Sequence, residues 1–190
     1  TTTLYAALNE LNTPEKKIIT VEDPVEYRLP GINQVQVHEK IDLSFSRVLR
    51  SALRQDPDII LIGEMRDQET AEIGMRAAMT GHLVLSTLHT NDAPSAITRL
   101  LELGVPHYLL KATLLGVMAQ RLVRTLCEGC KEPYQPKPEF LKKYNLPEDT
   151  EAFYRPPTEP QPQGVCGECG GVGFMGRTGI FEVLEITDPI

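Results

Sequence analysis

The chain has 190 residues, 41% of them hydrophobic and 24% charged, ordinary proportions for a globular protein with a sizeable core. A formal net charge of −7 argues against a broad basic footprint for nucleic acid or anionic lipid, and no apolar run approaches the length of a membrane span. No signal peptide opens the chain, and Thr1-Thr2-Thr3-Leu4-Tyr5 reads as a cut through an element, so a fragment of a longer protein is expected.

Leu4, Ala7, Leu8 and Leu11 have helical spacing, which predicts a helix from Thr1 to about Leu11, ended by Asn12-Thr13-Pro14. Ile18 to Val21 is a short buried strand, and Glu22-Asp23-Pro24-Val25-Glu26-Tyr27 follows at its carboxyl end. Arg28 to His38 is loop-like, with Val35 and Val37 alternating as in an edge strand. Ser44 to Arg54 is an amphipathic helix with Phe45, Val48, Leu49 and Leu53 inward and Arg47, Arg50 and Arg54 along one side. Ile59-Ile60-Leu61-Ile62 reads as a strand buried on both faces of a parallel sheet, with Gly63 and Glu64 directly at its end. Asp67 caps a helix running to about Met79, Gly81 breaks it, and His82 to His89 forms the next strand. Asn91 or Asp92 caps a further helix through Leu103, with Pro94 in its first turn. Another helix is predicted from about Tyr108 to Val123, and Ile180 to Ile186 is a final strand. Alternating strands and helices of this kind imply an α/β fold with a parallel sheet flanked by helices. From Cys127 onward proline and glycine accumulate, and that region needs another source of order.

The cysteines can supply it. Cys127-x-x-Cys130 and Cys166-x-x-Cys169 are two knuckles that suit Zn²⁺ bound by four thiolates, in a reducing compartment rather than in secreted disulfides. The bland alternative is two redox or free thiol pairs. A second constellation lies at the strand ends, where Glu22, Asp23 and Glu26 follow one strand, Glu64 a second and His89 a third. In open α/β sheets the carboxyl ends face the ligand crevice, and acid, acid and imidazole there suit phosphoryl transfer. Each residue alone is better read as a solvated loop residue; their joint order along the chain is what carries the reading.

The segments Glu22-Asp23-Pro24-Val25-Glu26-Tyr27, Leu53-Arg54-Gln55-Asp56-Pro57-Asp58 leading into Gly63-Glu64-Met65-Arg66-Asp67, and Thr80-Gly81-His82 to Leu88-His89-Thr90-Asn91 resemble the secretion ATPase superfamily. They correspond to its Asp box, Walker B strand and His box, in one order over essentially the whole chain. The resemblance implies a RecA-like core, taken as residues 1–125, with a Cys₄ zinc-binding subdomain at 126–176 and a final strand within 177–190. It implies a homo-hexameric motor using ATP and Mg²⁺ to drive type II secretion or type IV pilus assembly. Arg28 to Val37 and Gly63 to Gln68 resemble most the assembly ATPases of mannose-sensitive haemagglutinin-type pili. Its location would be cytoplasmic, peripheral at the inner membrane, with inner-membrane platform proteins as partners and no nucleic acid. By the same resemblance Glu26 is the general base, Glu64 serves Mg²⁺ and His89 reaches the γ-phosphate. Thr1 would end the phosphate loop and ligate Mg²⁺, Glu22 belongs to the nucleotide side, and Arg54 stands at a subunit contact. The Gly-rich phosphate loop itself would lie before Thr1, so this chain alone is expected to be nearly inert. The competing expectation is a zinc-containing RecA-like nucleic-acid-binding protein, which the acidic balance and the lack of a basic, aromatic-interleaved stripe disfavour.

Overall fold

The computed structural model describes residues 2–147, 153–158 and 166–187. They divide into two compact units, residues 1–119 with 182–190, and residues 120–181. The first unit is built on a four-stranded sheet. Its strands are β1 (Ile18–Glu22), β2 (Asn33–Gln36), β3 (Ile59–Ile62) and β4 (Leu83–Ser86), in the order β2-β1-β3-β4 with every neighbouring pair parallel. Helices α1 (Thr2–Leu11), α2 (Phe45–Ala52), α3 (Gln68–Met79), α4 (Ala93–Glu102) and α5 (His107–Thr113) complete it.

Why β3 lies at the centre follows from its composition. Ile60 and Ile62 join one core cluster with Val21, Leu49, Met75, Leu100 and Leu109, drawn from β1 and from α2, α3, α4 and α5. Ile59 and Leu61 point the other way, into a second cluster with Tyr5 and Leu8 of α1, Ile18 and Leu29. Alternate residues of one strand therefore feed two cores, and all four are buried. Side-chain caps fix where the helices begin: Ser44 accepts from the Arg47 N–H, Asp67 from Thr70, and Asp92 from Ser95 in a reciprocal capping box.

Three sequence expectations need correction. The helix predicted from Tyr108 to Val123 stops at Thr113, and β5 (Gly116–Leu126) takes its place. Leu114 is already extended, and a Cβ on Gly116 would stand 3.0 Å from the Leu184 carbonyl oxygen of the partner strand β8 (Phe174–Glu185). A short apolar run fits either period, and here a pairing partner far along the chain decides. The final strand starts at Phe174 rather than Ile180, passing through Gly176 and Gly179. Finally, β4 ends at Ser86, which leaves His89 beyond the strand.

In the second unit β6 (Glu132–Tyr134) pairs antiparallel with β7 (Phe153–Arg155), beside the short helix α6 (Pro138–Lys143). Phe140 meets Tyr144 at a tilt and Phe153 edge-on, and Leu141 is buried beside them.

Candidate active site and thiolate cluster

The carboxyl ends of β1, β3 and β4 surround a cleft of about 350 Å³. Its walls include Glu22, Asp23 and Glu26 after β1, Gly63 and Glu64 after β3, and Thr87 and His89 after β4. The volume lies at the lower end of the range for small-ligand sites. Gly63 is what lets the strand ends approach. Its N–H donates to the Val21 carbonyl at 2.7 Å, and a Cβ there would lie 3.1 Å from that oxygen and 3.3 Å from the Glu22 Cα. Met65 N–H donates to the Thr87 carbonyl, and Thr87 Oγ1 donates to the Gly63 carbonyl at 2.6 Å, so β3 and β4 are tied just past their last paired residues.

Glu64 is 13% exposed, with Arg66 Nη2 2.5 Å from Oε1 and His89 Nε2 3.3 Å from Oε2. The carboxylate raises the Arg66 pKa, chiefly through that hydrogen bond. His89 itself is 89% exposed at the cleft wall. Glu22 is 3% exposed and fully engaged: Tyr5 Oη donates to Oε2, while Thr20 Oγ1 at 2.6 Å and Gln34 Nε2 at 3.2 Å donate to Oε1. Burial, followed by the Glu22 carboxylate, pushes the Tyr5 phenol up to about 12.

Five residues singled out by sequence (Glu22, Asp23, Glu26, Glu64 and His89) thus line one cleft. Arg54 does not join them. It sits exposed in the turn after α2, with Nε donating to the Arg50 carbonyl at 3.3 Å. Thr1 lies outside the described residues. His82 is elsewhere too, with Nδ1 2.9 Å from the Ala77 carbonyl at the end of α3. Sequence reasoning assigned no role to Tyr5, Gln34, Arg66 or Thr87. Arg66, two residues past Glu64 and of opposite charge, was the one with a readable signal.

The oxygen-rich lining of the cleft suits a hard cation such as Mg²⁺. Both Glu64 oxygens already have a partner, yet a carboxylate offers about four lone-pair sites, so water-mediated metal contact fits the arrangement.

In the second unit Cys127, Cys130, Cys166 and Cys169 bring their four Sγ atoms within 4.8 Å of one another. Cys127 and Cys166 are 3.7 Å apart and Cys130 and Cys169 3.5 Å. These are far from a disulfide bond and close to the edge of about 3.8 Å that a tetrahedron with 2.3 Å arms requires. The Lys131 N–H donates to the Cys127 carbonyl and the Gly170 N–H to that of Cys166, closing each knuckle. Gly170 and Gly171, at φ 63° and 92°, adopt the left-handed turn beside Cys169. Burial pushes the Cys127 thiol up to about 11, and raises that of Cys130 as well. For Cys169 burial acts the same way, but the Gly173 N–H on its sulfur and the neighbouring thiols outweigh it and bring it down to about 6. Four sulfur donors at this spacing fit Zn²⁺, which would relieve the crowding by holding them as thiolates.

The family described as Type II/IV secretion system protein matches residues 1–190. The chain belongs to that family. It is 54% identical to the type II secretion system protein E of Pseudomonas aeruginosa over 99% of its length, covering 36% of that protein. It is 50% identical to the type IV pilus assembly ATPase PilB of Thermus thermophilus, over 99% of the chain and 21% of that protein. Among solved structures, the pilus retraction motor PilT with bound ADP superposes on 67% of the chain, at a TM-score of 0.60 and 40% identity, covering 40% of that motor. The VirB11 ATPase of the Brucella suis type IV secretion system covers 63% of the chain and 39% of its own length, at a TM-score of 0.52 and 27% identity. The chain therefore spans about a third or less of the curated relatives it matches. These relatives lend no support to the nucleic-acid-binding alternative.

Proposed function

We propose that the full-length protein is a homo-hexameric motor ATPase of type II secretion or type IV pilus assembly, and that this chain is its C-terminal catalytic part. The observation that carries the reading is the gathering of Glu22, Asp23, Glu26, Glu64 and His89 around one cleft at the carboxyl ends of three adjacent parallel strands. In this reading residues 1–125 are a RecA-like core, 126–176 a tetracysteine zinc element, and 177–190 the return to the core. Arg54, which is exposed after α2, meets a neighbouring subunit in this reading.

Glu26 accepts at a carboxylate oxygen the proton of an attacking water, whose oxygen bonds the γ-phosphorus as the bond to the β–γ bridging oxygen breaks. His89 donates a ring N–H to a γ-phosphate oxygen, and Glu64 orders water on the metal side. Mg²⁺, when bound, supplies charge neutralisation at the phosphates. By the family resemblance Thr1 would supply a hydroxyl to Mg²⁺, and Glu22 would belong to the nucleotide side. Zn²⁺ on Cys127, Cys130, Cys166 and Cys169 has a structural role. We place the motor in the cytoplasm against the inner membrane, working on platform proteins there and not on nucleic acid.

The test is ATP turnover by the full-length protein and by residues 1–190 alone, with retention on heparin as a control. Turnover by the full-length protein, little by the shorter chain and no heparin retention are expected. Tight heparin binding without ATP turnover would favour the nucleic-acid reading.

A further inference from the structure

Glu26 lies on residues 23–29, which form no helix or strand, and its own side chain is exposed. A general base must nevertheless be held within a fraction of an ångström of its working position. The backbone of this segment is pinned by side chains from two fixed elements. From β2, Gln34 accepts the Leu29 N–H at 2.7 Å and donates to the Tyr27 carbonyl at 3.1 Å, and Gln36 accepts the Val25 N–H at 3.4 Å. From α1, the Tyr5 hydroxyl accepts the Glu26 N–H at 3.3 Å. Tyr5 is 1% exposed, and its ring meets Tyr27 edge-on at 4.6 Å.

The hydroxyl is directional. Its single hydrogen goes to Glu22 Oε2, so a lone pair is left for the Glu26 N–H. Ring packing alone explains the burial of Tyr5 but not this bond, because a phenylalanine would fill the same space. We propose that Tyr5, supported by Gln34, is a positioning residue for Glu26: it ties the backbone of the general base to the last carboxylate of β1. The inference rests on the reading of Glu26 as the base.

The experiment is a double-mutant cycle in the full-length protein, with kcat and KM for ATP and amide exchange at Glu26 as readouts. Tyr5→Phe should lower kcat on the order of ten- to a hundredfold, the scale of a misplaced catalytic group, and leave KM unchanged. The Glu26 amide should exchange faster while those of β1 and α1 keep their protection. In a Glu26→Gln background Tyr5→Phe should lower kcat no further, since the group it positions is gone. Gln34→Ala keeps the phenol ring and should behave alike, which covers the case of a poorly folding Tyr5→Phe. Unchanged kcat for Tyr5→Phe beside a depressed Glu26→Gln overturns the positioning role and leaves the base assignment standing. An equal loss in both backgrounds also overturns it, marking a general structural defect. Normal turnover in Glu26→Gln removes the base assignment itself.

Discussion

At the residue scale Glu64 and Tyr5 are held in opposite ways. Glu64 is bracketed by the Arg66 guanidinium at 2.5 Å and the His89 imidazole at 3.3 Å. Glu64→Gln in the full-length protein should therefore lower turnover and shift its Mg²⁺ dependence to higher concentration, as titration of rate against Mg²⁺ will report. An unshifted dependence would place the metal elsewhere. Tyr5 is held neutral instead. Its phenol stands at about 12, above the ordinary 10.0, so the folded chain keeps a proton that the unfolded chain releases. The stability this contributes is complete below about pH 10 and is lost as pH rises through 12. Spectrophotometric titration should find a late-ionising tyrosine phase, and Tyr5→Phe should abolish it.

At the scale of elements, the parts that read directly from sequence are those with a local cause. Ile59 to Ile62 could only be a strand buried on both sides, and Asp67 and Asp92 announce the helices they cap. That Glu26, Glu64 and His89 share one cleft was legible because each follows a strand in order. β5 was not legible, because its partner β8 lies tens of residues on and its apolar spacing also suits a helix. The Tyr5 network was hidden for a similar reason: Glu22 and Gln34 meet the phenol, and Thr20 meets the Glu22 carboxylate, only once α1, β1 and β2 are assembled. Two predictions belong here. Gly63→Ala places a methyl 3.1 Å from the Val21 carbonyl, where backbone must yield, and should cost about 1–3 kcal/mol in denaturant unfolding. The four thiolates should hold one Zn²⁺ per chain, seen by elemental analysis. Its removal by a chelator should loosen residues 127–173 in amide exchange while β1, β3 and β4, with two cores of their own, stay protected. Metal-free protein with four freely reacting thiols would contradict the zinc assignment.

At the scale of the whole molecule, the chain spans about a third or less of its curated relatives, and its cleft carries acids and an imidazole. A phosphate needs N–H donors and a cation at close range, whereas the cleft lining among the described residues includes the carboxylates Glu22, Asp23, Glu26 and Glu64 and neither Lys nor Arg. Residues 1–190 alone should accordingly bind ATP far more weakly than the full-length protein, a difference that calorimetry reads directly. Micromolar affinity for the short chain would mean that the phosphate grip lies within it.

The measurement closest to the central claim is ATP turnover at saturating ATP and Mg²⁺ by full-length Glu26→Gln, with nucleotide affinity measured alongside. A base that takes the proton of the attacking water is worth about 10²–10⁴ in rate, and its loss leaves the phosphate contacts untouched. In Glu26→Gln kcat should fall by that factor, with ATP and Mg²⁺ affinity unchanged. Turnover at the unmutated rate would contradict it, and would move the base to another carboxylate of the cleft.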